Sequence, residues 1–244
     1  MSLRAQNILG AQDVFETSTT KLHPIGTLVT GTGDKIYSYT LNGAVALAAG
    51  VAVITPARVA NHTEQAVAVA AVGATQVDVT IGATALTADQ YLDGFLDIVV
   101  APGIGQHLRI RAHTTSAAGS TVVTAYLAEP LTVALTAASK ASFVYNRNTS
   151  VVVHPGGAST FVCAGVTTVP VAANAYFWAQ TGGPASVLSD GIIAKATGFI
   201  LTANAVPGAV TTEAAATVTQ RLGFAPEATV DAKYYPVTLA IDRG

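Results

Sequence analysis

Apolar and polar residues alternate with a period of two along much of the chain. The clearest stretch is Gln76 to Ile81, where Val77, Val79 and Ile81 alternate with Gln76, Asp78 and Thr80. Such alternation puts the two sets on opposite faces of a strand, one for a core and one for water. The same reading predicts strands at Thr27 to Thr30, Lys35 to Leu41 and Val51 to Ile54. Others follow at Phe95 to Val100, Gln106 to His113, Val122 to Leu127 and Ala141 to Tyr145. Further strands are predicted at Val151 to His154, Phe161 to Ala164, Tyr176 to Thr181, Val187 to Ser189, Gly198 to Thr202, Ala216 to Phe224 and Tyr234 to Ile241. Gly31 to Asp34 and Asn42-Gly43 carry turn chemistry between strands. Thr87 to Tyr91 reads as a capped helical turn or a tight loop. Thr211 to Ala216 is divided between a short alanine-rich helix and the strand preference of Thr217-Val218-Thr219. No long amphipathic helix and no fixed-period repeat is visible.

Strands spaced by roughly 8–12 residues point to barrels or sandwiches. The predicted fold is therefore all-β, with two small barrel or sandwich modules and an extended N-terminal arm. Residues 1–24 are polar and weakly patterned and form the arm, which is expected to reach a neighbouring molecule. Residues 25–146 form the first module and 147–244 the second, with a boundary at Asn146 to Thr149. The polar run 57–66 reads as a linker.

Composition adds a second constraint. Charged residues make up 11% of the 244 and hydrophobic residues 50%, against about 25% charged in an ordinary soluble domain. Mean hydropathy is +0.47. Either much of the surface lies against other subunits, or the exterior is mostly Thr, Ser, Asn and Ala. The formal charge of −2 and the lack of a basic run argue against nucleic acid as a partner. The N-terminus has no apolar signal core. The uncharged stretches 36–57 and 155–189 are interrupted by Gly and Pro, which argues against a membrane span.

Candidate chemistry is sparse. His107, Arg109, Arg111 and His113 fall at period two, which places all four on one face of a strand. They read either as a contact for an acidic protein surface or as the wet face of a surface strand. The spacing of the two His does not suit a shared metal, and no HxH or HExxH pattern occurs, so no metal site is expected. Asp89, Asp93 and Asp97 are a local acidic cluster that could serve paired-carboxylate or calcium chemistry, although solvated loop and strand-end positions explain them better. Gly103-Ile104-Gly105 and Gly31-Thr32-Gly33 lack the helix that a phosphate loop requires and read as turns. The single cysteine, Cys163, lies in an apolar run and reads as a buried thiol. In Tyr176-Phe177-Trp178, Tyr176 and Trp178 share a face; they form either a stacking surface for a sugar or part of the core. No catalytic residues and no cofactor are expected.

Three segments carry a resemblance. Residues 174–185, from Asn174 through Tyr176-Phe177-Trp178 to Gly182-Gly183-Pro184-Ala185, resemble a segment of tailed-phage virion structural proteins. Val72 to Thr80, followed by Thr87-Ala88-Asp89-Gln90-Tyr91, does so too. Leu222-Gly223-Phe224-Ala225 with Tyr235-Pro236-Val237-Thr238-Leu239 is similar to the end of small β-barrel head-decoration proteins. The resemblance implies a non-enzymatic protein of the virion, located on the capsid surface, that reinforces it. Its implied partners are the major capsid protein and copies of itself in a homotrimer, with no nucleic acid and no membrane. A tail, neck or baseplate component is the alternative within the virion. A carbohydrate-binding β module using Tyr176 and Trp178 is the alternative outside it.

Overall fold

A computed structural model describes residues 12–119, 121–157, 162–213 and 220–241. The protein is all-β and divides into two compact units. The first is formed by residues 1–56 and 150–244, and the second, residues 57–149, is inserted between them. Strands β1 (Leu28–Thr30), β2 (Ile36–Leu41) and β3 (Ala52–Ile54) open the first unit. The second contains β4 (Gln65–Val67), β5 (Gln76–Ile81), β6 (Phe95–Val100), β7 (His107–His113), β8 (Thr121–Leu127) and β9 (Lys140–Val144). The chain then returns to the first unit as β10 (Val152–Val153), β11 (Cys163–Val166), β12 (Tyr176–Leu188), β13 (Gly198–Leu201), β14 (Val210–Thr212), β15 (Gly223–Phe224) and β16 (Tyr234–Ala240).

The inserted unit is a closed six-stranded barrel in the order β4-β5-β8-β7-β6-β9. β5 shows how its sequence specifies it: Val77, Val79 and Ile81 are buried and Gln76, Asp78 and Thr80 exposed. The inward sets of all six strands meet in one core with Leu86, Leu96, Ile98, Ile110, Val123 and Phe143. Closure pairs every strand on both sides and leaves no open edge.

The first unit is a curled ten-stranded sheet whose path runs β10-β3-β11-β12-β16-β15-β13-β14, with β2 branching from β12 and β1 pairing β2. Its central strand is β12. Residues 176–182 of that strand pair with β2, and residues 182–188 pair with β16. Gly183 sits at φ +78°, and a Cβ there would fall 2.4 Å from the Asp34 carbonyl oxygen. Only glycine allows this close approach. The sequence signal at Gly182-Gly183-Pro184 reads as a turn; the pairing continues through it as a single 13-residue strand.

Two further expectations are corrected. The linear division at 146/147 gives way to an insertion, because β3 pairs with β10 and β11 across almost the whole inserted segment. The segment 57–66 is not a linker: it supplies a 3-10 turn (Ala60–His62) and β4, and His62 is fully buried. Of the expected arm, residues 1–11 lie outside the described residues. Residues 12–24 pack on their own unit, with Ser18 exchanging backbone hydrogen bonds with Tyr176 at 2.9 and 2.7 Å and Val14 buried.

The same tight turn recurs in both units. A buried residue (Leu86, Leu135, Val171 or Ile193) is followed by a turn that an N–H closes three residues back: Gln90 to Thr87, Ser139 to Thr136, Ala175 to Ala172 and Thr197 to Ala194. In three of these the third residue after the buried one is left-handed without being glycine, namely Asp89, Asn174 and Ala196. Asp and Asn tolerate that conformation best. The buried residue anchors the turn to the core and sets the next strand in register.

Candidate functional site

The charged stripe lies on β7. His107 pairs across the ladder with Asp97 of β6, and its ring Nδ1 meets the Asp97 carboxylate. Arg109 Nη2 donates to Asp93 Oδ1 at 2.6 Å, and its backbone N–H donates to Glu129. A register shift between Ile110 and Ala112 makes Arg111 the extra residue of a β-bulge. Beyond the bulge His113 turns inward. Its Nδ1 donates to the Thr114 carbonyl at 3.0 Å, and its Nε2 accepts the Tyr91 N–H at 3.1 Å. Burial pushes its pKa below the usual histidine value, against a smaller upward pull from the Thr114 carbonyl and Asp89. The structure thus keeps His107 and Arg109 together, sets them against Asp97 and Asp93 of their own barrel, and separates His113 from them. Arg111 is exposed and has no ion-pair partner among the described residues.

His113 belongs instead to a buried polar chain. The Thr84 carbonyl can only accept, so His62 Nε2 donates to it at 3.0 Å and Nδ1 accepts from the Tyr91 hydroxyl at 2.9 Å. Tyr91 packs at a tilt against Tyr145 and Phe143, and burial drives its pKa well above the usual tyrosine value. Tyr145 in turn accepts from Gln90 at 2.7 Å. Period and spacing gave no sign of this chain, because His62 lies in a segment that reads as polar linker.

The aromatic pair falls in the first unit and does not form an exposed platform. Trp178 is 1% exposed and packs edge-on against Tyr39 at 5.0 Å and beside His23 at 5.3 Å. Tyr176 is half-buried and stacks on Tyr39 at 5.7 Å. The two residues do share a face, as period two requires, but that face is covered by Val14, Val29, Tyr37 and Tyr39. Burial raises the pKa of Tyr37 and Tyr39, with Asp13 adding to the effect at Tyr37.

The first unit carries a groove of about 810 Å³. Phe15 and Tyr234 stand at it with about half their surfaces exposed. Gly50 keeps it open on one side, since a Cβ there would fall 2.7 Å from the Tyr234 ring. Its polar floor is already engaged: Thr167 Oγ1 donates to the Ala48 carbonyl, and Gln180 Nε2 donates to the carbonyls of Gly182 and Pro184. Thr168 Oγ1 is buried at its wall without a hydrogen-bond partner, and Lys35 is the charged residue that lines it. Such a groove suits an apolar or extended chain better than bond-making chemistry, since no carboxylate, histidine or thiol among the described residues lines it.

Cys163 is fully buried, with its Sγ 3.6 Å from the Gly165 carbonyl and its N–H donating to Gln220. Among the described residues no three His, Cys, Asp or Glu side chains gather as a metal site. Comparison of the chain with protein-family models, with curated proteins and with solved structures finds no match.

Proposed function

We propose that this chain is a non-enzymatic structural subunit of a tailed-phage virion, one that binds the capsid exterior and reinforces it. Its partners are the major capsid protein and further copies of itself. One observation carries the reading: apolar side chains stand exposed on both units of a chain that has few charges. Leu28, Val45 and Ile192 of the first unit and Val69, Val72, Ile104 and Val122 of the barrel are each more than half exposed. On a chain with so few charges, exposed apolar side chains of this kind favour a surface that other subunits cover. The resemblance of residues 72–80, 87–91 and 174–185 to virion proteins supports a virion protein as that covering partner.

The mechanism is mechanical. Each copy spans a junction between capsid subunits, and many modest contacts repeated over the particle add through multivalency. The burial of Trp178 favours this reading over a carbohydrate-binding one, which calls for an exposed stacking platform.

Pelleting assays test the reading. Purified protein is mixed with particles of the source phage stripped of it, and the particles are sedimented and heated. Saturable binding with a higher disruption temperature is expected. Failure to bind both stripped and native particles overturns the proposal, whereas binding confined to tails moves the protein to the tail, neck or baseplate.

A further inference from the structure

The barrel has two chemically different ends. β4, β6 and β8 run one way and β5, β7 and β9 the other. The three loops 68–75, 101–106 and 128–139 therefore lie at one end. The chain enters and leaves the barrel at the other, where loop 82–94 carries Asp89 and Asp93. The three loops of the first end contain one charged residue, Glu129, and no aromatic residue. Val69 is 75% exposed, Val72 63%, Ile104 64% and Val133 47%, and Val100 beside them is exposed as well.

These loops are fixed in place. Ala70 and Leu135 exchange backbone hydrogen bonds at 3.1 and 2.8 Å, and Gly73 and Ala74 bond to Leu131. The Gln106 side chain joins two loops, donating to the carbonyls of Gly103 and Val133 and accepting from the N–H groups of Thr132 and Val133. Gly103 and Gly105 both take positive φ and hold Ile104 outward between them. A Cβ on Gly103 would strike Leu135 at 2.6 Å, while one on Gly105 or Gly73 would meet nothing within 4 Å. The Gly-Ile-Gly segment is thus a turn that packs on one side and presents an isoleucine on the other.

We infer that this loop end is a self-association surface, on which a second copy of the chain docks end to end about a two-fold axis. Three features select that occupant. The three loops carry a single charge, Glu129, so like meets like with little repulsion, as an isologous contact requires. One anion, Glu129, and one cation, Lys140, stand exposed at its rim, so a two-fold axis can set opposite charges near each other. Val69, Val72, Ile104 and Val133 stand on loops joined by hydrogen bonds, and with Val100 they expose on the order of a few hundred Å² of apolar surface, the size range of functional surface patches. Two such patches with their intervening Ala, Pro and Gly reach the lower limit of specific interfaces, about 1,000 Å². A lipid surface fits less well, because the loops have no Trp, Tyr or Arg and only Lys140 at their rim among the usual anchors of membrane-seated segments.

Sedimentation velocity of the full chain, at concentrations up to about 100 µM, tests this directly. The wild-type protein is expected to associate reversibly with concentration. The double variant Val69→Asp, Ile104→Asp is expected to weaken that association at least about tenfold, because it buries carboxylates in the contact. Both positions are exposed loop positions, and an unchanged melting temperature establishes that the variant is folded. A wild-type protein that stays monomeric overturns the inference, as does association that the variant leaves unchanged. Flotation with phosphatidylcholine vesicles that the variant abolishes also overturns it and reassigns the loops to lipid. The contact is measured in free solution, so its failure leaves the virion assignment standing, and failure of that assignment leaves the contact standing.

Discussion

Replacing Trp178 with alanine distinguishes a core tryptophan from a ligand-stacking one. The indole is 1% exposed and sits 5.0 Å from Tyr39 and 5.3 Å from His23. Truncating a fully buried tryptophan costs about 3–5 kcal/mol in transfer and cavity terms. One term opposes this. Trp178 Nε1 is buried with no hydrogen-bond partner, so the variant no longer buries an unpaired donor. The net cost is therefore placed at the lower end, about 3 kcal/mol, which corresponds to a melting-temperature loss of roughly 6–12 °C for a chain of this size. Differential scanning calorimetry reads it without needing the lost fluorophore. Trp178→Phe keeps most of the packing and removes the unpaired N–H, and its cost is expected to stay under about 1.5 kcal/mol. In the wild type, the single tryptophan should emit at short wavelength and resist quenching by acrylamide. A Trp178→Ala protein that melts within about 2 °C of wild type, together with ready quenching in the parent, would refute the placement.

Other expectations follow from the barrel and the central strand. Arg109→Ala leaves the buried Asp93 carboxylate without its 2.6 Å partner and should lower stability by about 1–2 kcal/mol in urea titration, the half-exposed arginine limiting the loss; an unchanged urea midpoint would count against the pair. His113 is held below its ordinary pKa, so the folded state favours the neutral ring. Its contribution is present above about pH 6.5 and is lost as pH falls from there through the lowered folded value. The urea midpoint of wild type should therefore fall between pH 7.5 and 5 more steeply than that of His113→Gln, with Asp89 and His62 as the other titrating groups near it; parallel pH profiles would refute this. Gly183→Ala forces a left-handed alanine 2.4 Å from a carbonyl oxygen and should cost more than about 2 kcal/mol. A soluble Gly183→Ala protein with wild-type stability would mean that β12 does not pass Asp34 as closely as described.

The sequence was informative where a local rule was enough. Alternation located β5 and its buried face, and period two put Tyr176 with Trp178 on one side of β12. It could not say what covers that side, because Tyr37, Tyr39 and Val14 reach it from more than a hundred residues away. The stripe of β7 was visible, but its partners Asp93 and Asp97 were read as a separate acidic cluster. Joining the two needed the β6–β7 register, which the turn at Gly103 and Gly105 sets. The bulge at Arg111, which sends His113 inward, has no signal in period-two counting. The insertion was hidden for a similar reason: β3 ends at Ile54, just before Pro56, as strands commonly do, and nothing local records that its neighbours lie at Val152 and Cys163. The recurring tight turn escaped a search for fixed periods because its copies sit at unequal spacings, but a buried residue followed three positions later by Asp, Asn or Ala would have marked it.

The most direct test of the central claim is the number of copies of this protein in purified particles, measured by quantitative mass spectrometry against the major capsid protein. Capsid reinforcement predicts a ratio near one or a simple fraction of it. Absence from particles would contradict the virion assignment, and a handful of copies per particle would contradict the placement on the capsid surface.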